Sequence, residues 1–199
     1  MRMLIAAIVV LISYVIGTFP TALVVGRRRG FDPTAAGSGN PGASNAFRVG
    51  GKRAGVTVLL GDLLKGVIAT GLGLVVGGRP PAMAAGVAAV VGHIAPVTRG
   101  FRGGKGVATA SGMGVVLFPL VGLGLAAGWA ALARLTGKAS LASLAAVVAM
   151  VPAVAVIGRP GWEIASVGLL ATLIVARHWG NLVRLLRGTE RTLRGVQAG

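Results

Sequence analysis

Along this chain, long stretches without Asp, Glu, Lys or Arg alternate with short basic connections. Charge-free runs cover residues 3–26, 80–98, 107–133 and 139–158. A helix needs about 20 apolar residues to cross the hydrocarbon of a bilayer, so each run predicts a membrane span. Two shorter runs, 66–78 and 164–176, reach spanning length once their flanks join them. For the first, joining 54–65 carries Asp62 and Lys65 into the bilayer. Residues 1–26 have a weakly basic start and no small-x-small cleavage site, and so predict a retained first helix instead of a signal peptide.

The basic residues set the topology, because short cytoplasmic loops accumulate Lys and Arg. Arg27, Arg28, Arg29, Arg48, Lys52 and Arg53 fall inside, which places the N-terminus outside. Read as one span, 107–133 puts Arg134, Lys138 and the arginine-rich tail on the wrong side. A reversal near Pro119–Gly122, where Pro and Gly favour a turn, gives seven and leaves only Arg2, Arg79 and Arg159 outside. The expectation is an all-α, polytopic integral membrane protein, seven helices with five as the rival. Its C-terminus is cytoplasmic, and 1–199 form one domain without internal repeats.

Composition narrows the chemistry. Twenty Lys and Arg against four acidic residues give a net charge of +16, yet 54% of the chain is hydrophobic and the mean hydropathy is +0.83. That much apolar residue, with 34 glycines, argues against a nucleic-acid partner and for positive charge held in membrane-bounding loops. There are no cysteines, which excludes thiolate catalysis and Cys-ligated zinc. Two histidines and four carboxylates leave little for a metal site.

Three polar segments interrupt the apolar pattern, and the predicted topology puts all of them on the cytoplasmic face. Residues 37–48, GSGNPGASNAFR, combine glycines that let backbone N–H groups converge with Ser38, Asn40, Ser44, Asn45 and Arg48 as side-chain donors. That loop suits an anion, although composition alone also fits a flexible connection. Its formal G-x-G-x-x-G match lacks a βαβ context and is not a dinucleotide fingerprint. The second segment runs from His93 to Arg99-Gly-Phe-Arg-Gly-Gly-Lys105-Gly106 and opens onto a helix. Gly103 and Gly104 before a helix N-terminus, with the charge of Lys105, form a phosphate-site pattern. It is not a Walker motif, since Arg99 replaces the first glycine and Gly106 follows the lysine. The third segment joins a helix start carrying Ser140 and Ser143 to a helix end carrying His178 and Asn181, three apart on one face. Beyond it Arg184, Arg187, Arg191 and Arg194 read as a basic tail on anionic lipid headgroups. Asp62 and Lys65, also three apart, read as a neutralising pair within a span.

Taken together, GSGNPGASNAFRVGGKRAG, GHIAPVTRGFRGGKGVAT and RHWGNLVRLLRGTE resemble, in order, the three sequence blocks of the bacterial acyl-phosphate:glycerol-3-phosphate acyltransferases, the PlsY family. LLGDLLKG and SYVIGTFPTA are similar as well, so the likeness covers most of the chain. The resemblance implies a seven-helix enzyme of the bacterial inner membrane with its site at the cytoplasmic face. Such an enzyme moves an acyl chain from acyl phosphate to glycerol 3-phosphate, giving lysophosphatidic acid and phosphate, as a monomer among membrane lipids without metal or cofactor. It implies that Ser38, Arg48, Lys105 and Asn181 contact glycerol 3-phosphate or the reacting centre. It places Ser44, Gly103, Gly104 and Ser143 at the acyl-phosphate head and His178 at the functional histidine. Asn40, Asn45 and His93 fall among the substrate-binding positions. Pro41, Ser44 and Arg102 replace the usual aliphatic residue, Thr and Lys, which preserves the hydroxyl and the charge.

The residue inventory agrees with that chemistry. An acyl phosphate is an activated mixed anhydride, so the protein must supply two anion sites and stabilise the oxyanion and departing phosphate. No carboxylate lies in the three segments apart from Glu190, far along the tail, so a substrate phosphate oxygen or His178 is expected to accept the hydroxyl proton. Two other classes fit the charge pattern. A phosphate transporter would place its binding groups near the midplane, and a membrane adaptor would leave the serine and asparagine loop without purpose.

Overall fold

The computed structural model describes residues 1–193, and over them the chain is helical without strands. Arg194, expected in the basic tail, lies outside the described residues. The helices pack as two compact units, 1–117 and 118–193.

The first unit holds α1 (Arg2–Thr18), α2 (Thr21–Arg29), α3 (Ala43–Gly77), α4 (Arg79–Ile94) and α5 (Val107–Leu117), with a 3-10 turn at Val97–Arg99. The single helix expected over 3–26 is two, broken at Phe19 and Pro20. Proline has no N–H to continue the ladder, and its ring drives the preceding residue into extended conformation; Phe19 accordingly has ψ 125°. On α1, Val9, Ser13 and Gly17 recur every four residues and are buried, while Leu4, Ile8, Leu11 and Val15 are exposed. Tyr14 ties α1 to the end of α4, its hydroxyl donating to the Ala95 carbonyl at 2.8 Å and accepting from the Val97 N–H at 3.1 Å.

α3 begins earlier than expected. Ala43 to Gly50 are already helical, and the break comes at Gly51, whose φ of 78° with ψ 178° suits only glycine. The second half of the predicted anion loop is therefore helix. α3 packs on α5 with no side chain between the backbones: a Cβ on Gly66 would strike the Thr109 carbonyl, and one on Gly112 the Leu63 carbonyl. Small residues at such crossings let membrane helices approach closely. With 11 residues, α5 rises about 16 Å, short of the roughly 30 Å hydrocarbon core.

The second unit holds α6 (Pro119–Thr136), α7 (Ala139–Val156), α8 (Gly161–Arg177) and α9 (Trp179–Leu186). The 107–133 run is interrupted at Phe118, and Pro119 opens α6, where its missing N–H costs nothing. Between α7 and α8, Arg159 grips the buried Glu163 through two guanidinium bonds of 2.9 and 3.0 Å. α8 and α9 meet at a 63° bend. Among the described residues five helical segments are long and apolar enough to cross a bilayer, six with the bent α8–α9 pair. The remaining helix of the expected seven is the short α5.

Candidate active site

The first predicted segment is a loop folded around one amide. Asn45, on the first turn of α3, is 1% exposed, and its Oδ1 accepts the Ser38 N–H at 2.8 Å. Its Nδ2 donates to the Pro33 carbonyl at 2.8 Å and the Ala36 carbonyl at 3.0 Å. Beside the expected substrate contact, Asn45 thus has a structural role, because these bonds employ the amide in holding the loop that carries Ser38. Ser38, Asn40, Ser44 and Arg48 are half-buried. Ser44 and Arg48, four apart on α3, share one helix face. At the loop's start, Asp32 accepts both the Thr34 hydroxyl and N–H, and these bonds hold its carboxyl below the ordinary carboxylate value.

In the second segment the glycine turn works differently from the expected open anion cradle. Gly103 donates to the Ile94 carbonyl at 3.1 Å and Gly104 to the His93 carbonyl at 3.0 Å. Arg99, Gly100, Phe101 and Arg102 donate back into the same turn. The N–H groups of 99–102 therefore close the turn itself, and those of Gly103 and Gly104 the end of α4. The glycines are required by close approach: a Cβ on Gly103 would strike the His93 and Ile94 carbonyls, and one on Gly104 the His93 imidazole. Lys105 follows, half-buried, two residues before α5.

His93 is buried, and its Nδ1 lies 3.5 Å from Lys65 Nζ and 3.6 Å from Asp62 Oδ1. Lys65 and Asp62 are themselves bonded at 2.7 Å, as expected, and both are buried within α3. These three side chains line a small pocket together with Thr18, Arg99 and Gly104, at the break between α1 and α2.

In the second unit, Asn181 donates to Glu190 Oε1 at 2.7 Å, Ser140 Oγ donates to the same oxygen at 2.9 Å, and Arg184 Nε donates to Oε2 at 2.9 Å. Burial alone would raise the Glu190 pKa; the bonds from Asn181 and Ser140 and the charge of Arg184 outweigh it and hold the carboxyl below its ordinary value. Arg184, expected to rest on lipid headgroups, is thus turned onto Glu190, whereas Arg187 and Arg191 are exposed. His178 is the hinge of the α8–α9 bend and is 3% exposed. Its Nδ1 is 2.8 Å from the Ile174 carbonyl. A carbonyl can only accept, so Nδ1 carries a proton in this contact. His178 and Asn181 are not on one continuous helix, but the Asn181 N–H bonds to the His178 carbonyl at 2.8 Å and keeps them one turn apart. Ser143 is buried and accepts the Trp129 indole N–H at 3.0 Å.

Three participants escaped the sequence reading. Glu190 was set aside for its distance along the chain, although a lone carboxylate among arginines was a signal. Tyr14 and the approach of His93 to Asp62 and Lys65 had none, since each joins residues far apart in sequence.

These features define a multi-pass helical membrane protein whose polar groups gather where helices break, turn and end. The chain belongs to the glycerol-3-phosphate acyltransferase family, whose family model matches residues 7–188. It is 43% identical over 190 residues to a glycerol-3-phosphate acyltransferase of Thioalkalivibrio sulfidiphilus, covering 94% of each chain. It is 41% identical over 193 residues to one of Rubrobacter xylanophilus, covering 96% of this chain and 97% of the relative. A crystal structure of PlsY, described as an integral membrane glycerol 3-phosphate acyltransferase in its glycerol 3-phosphate form, superposes with a TM-score of 0.89 at 35% identity over 94% of each chain. The lysophosphatidic acid form of PlsY superposes with a TM-score of 0.87 at the same identity and coverage.

Proposed function

We propose that this chain, acting as one monomeric domain over 1–199, transfers a fatty acyl group from acyl phosphate to glycerol 3-phosphate, the first acylation of phospholipid synthesis. The reaction gives lysophosphatidic acid and inorganic phosphate at the cytoplasmic face of the bacterial inner membrane. One observation carries this reading: the chain is similar over 94% of its length to a PlsY structure solved in a glycerol 3-phosphate form and in a lysophosphatidic acid form. Acceptor and product follow from those two forms. Acyl phosphate as donor is supported by the chemistry available, since a chain without cysteine has no thiol to carry the acyl group and a mixed anhydride needs none.

In this mechanism a glycerol 3-phosphate hydroxyl attacks the acyl carbon, the bond from that carbon to the phosphate oxygen breaks, and phosphate leaves. Lys105 supplies positive charge to the departing phosphate, with Ser44, Gly103, Gly104 and Ser143 around the donor head. Ser38, Arg48 and Asn181 hold the acceptor. The hydroxyl proton passes to a phosphate oxygen of the substrate or to His178, whose Nδ1 is held at the Ile174 carbonyl.

Purified protein in detergent, given acyl phosphate and glycerol 3-phosphate, is expected to release phosphate and form lysophosphatidic acid in equal amounts. Sealed vesicles that accumulate glycerol 3-phosphate or phosphate without acylated product would replace this reading with transport.

A further inference from the structure

The buried Asp62–Lys65 pair has no part in the mechanism above, yet it lies against His93, whose ring touches the turn preceding Lys105. We propose that Asp62 and Lys65 are positioning residues: through the His93 ring they set the 103–106 turn and with it the direction of Lys105. The ring works as a spacer with both ends occupied. Nδ1 sits 3.5 Å from Lys65 Nζ and 3.6 Å from Asp62 Oδ1 on α3. Nε2, at the far end, fills the space that a Cβ on Gly104 would need.

The turn itself has little freedom to move independently. Gly103 and Gly104 are bonded to the last carbonyls of α4. Gly106, at φ 88°, closes against the side chains of Val90 and Ile94 on the same helix. Lys105 is thus held between fixed points on both sides, and the angle of the His93 ring decides where one of them lies. A pair of charges is costly to bury unless it is mutually satisfied. Here the 2.7 Å bond satisfies it, and that bond also gives the imidazole a polar wall that an apolar helix face would lack. A reacting group displaced by about 1 Å loses rate on the order of a hundredfold, so a modest tilt of the ring is enough to be measured.

The test uses the full-length protein with both charges removed together, Asp62→Asn with Lys65→Met, so that neither is left unpaired. Hydrogen–deuterium exchange of the 99–106 segment needs no substrate. The wild type should protect the Gly103 and Gly104 amides, and the double variant should exchange them about tenfold faster or more. The kinetic arm rests on the acyltransferase reading: kcat should fall about tenfold or more, with the KM for each substrate moved less than about threefold. Combined with Gly104→Ala, which disturbs the same contact from the other side, the losses should not multiply. Should the double variant fail to fold, His93→Gln, which keeps a polar side chain but removes the ring, is expected to give the same exchange and kinetic signature. Unchanged exchange at Gly103 and Gly104, or losses that multiply in full, would overturn the proposal. A wild type without acyltransferase activity, together with altered exchange in the variant, would sink the acyltransferase reading and support the positioning role.

Discussion

Replacing Glu190 with glutamine removes one charge and one acceptor from a buried cluster while keeping its shape. In the wild type, Oε1 accepts from Asn181 and Ser140 and Oε2 from Arg184. The glutamine oxygen serves the first two, so its NH2 faces the Arg184 Nε–H, donor against donor. The loss is therefore one charge-assisted hydrogen bond, about 1.5–3 kcal/mol when fully buried. The Arg184 side chain is 34% exposed, so solvent screening brings the figure down to about 1–2 kcal/mol. For a chain of this length that corresponds to a Tm lower by about 2–8 °C. The assay is selective, because the tryptophans Trp129, Trp162 and Trp179 all lie in the second unit, and their fluorescence reports the part of the chain that holds Glu190. The pH dependence has a definite sign. A carboxyl whose folded pKa is depressed contributes stability in full above its unfolded value, and that contribution disappears as pH falls through the folded value. The wild-type Tm should thus drop on acidification below the ordinary glutamate range, and Glu190→Gln should flatten that drop. A variant whose Tm at pH 7 lies within about 1 °C of the wild type would refute the account of this cluster.

Other expectations follow from single contacts. His178→Ala should lower kcat by about 10²–10⁴-fold at saturating substrate if the imidazole takes the proton, and a nearly unchanged kcat would eliminate the histidine as acceptor. Lys105→Ala should abolish turnover, measured as phosphate release, and near-normal activity would argue against its role at the departing phosphate. Gly66→Ala would press a methyl group into the Thr109 carbonyl and part α3 from α5, so a loss of thermal stability of about 1–3 kcal/mol is expected in detergent. Since the chain has no cysteine, Leu135→Cys adds a single thiol at a 77% exposed position. Reaction with an impermeant reagent only from the cytoplasmic side supports the seven-helix reading, and reaction from outside supports five.

Helix positions were largely legible because they depend on local composition. The run from 139 begins where α7 begins, and Pro119 interrupts the longest run where a reversal was expected. The first span was misread in one respect: Pro20 lies inside an unbroken apolar run, and hydropathy does not register a missing N–H. The 37–48 segment was misread in another, since glycines and serines score as loop although Ala43 onward winds into α3 once Asn45 is buried. At the site, Lys105, His178 and Asn181 were identifiable as residue types in polar segments. What each one touches was not. Gly103 and Gly104 looked like open N–H donors because sequence shows which groups can donate and not where their acceptors are; here those acceptors are the carbonyls ending α4.

Apolar run length and the placement of Lys and Arg were enough, read along the chain, to establish an all-helical membrane protein and to locate its polar segments, since partition into lipid is nearly additive over neighbouring residues. Only the tertiary structure decided that Asp62 and Lys65 meet His93, that Asn45 holds its own loop, and that Glu190 joins Ser140, Asn181 and Arg184. Those contacts join residues 6 to 50 positions apart. Short directional bonds of this kind depend on how helices are placed in space, which no local property of the sequence encodes.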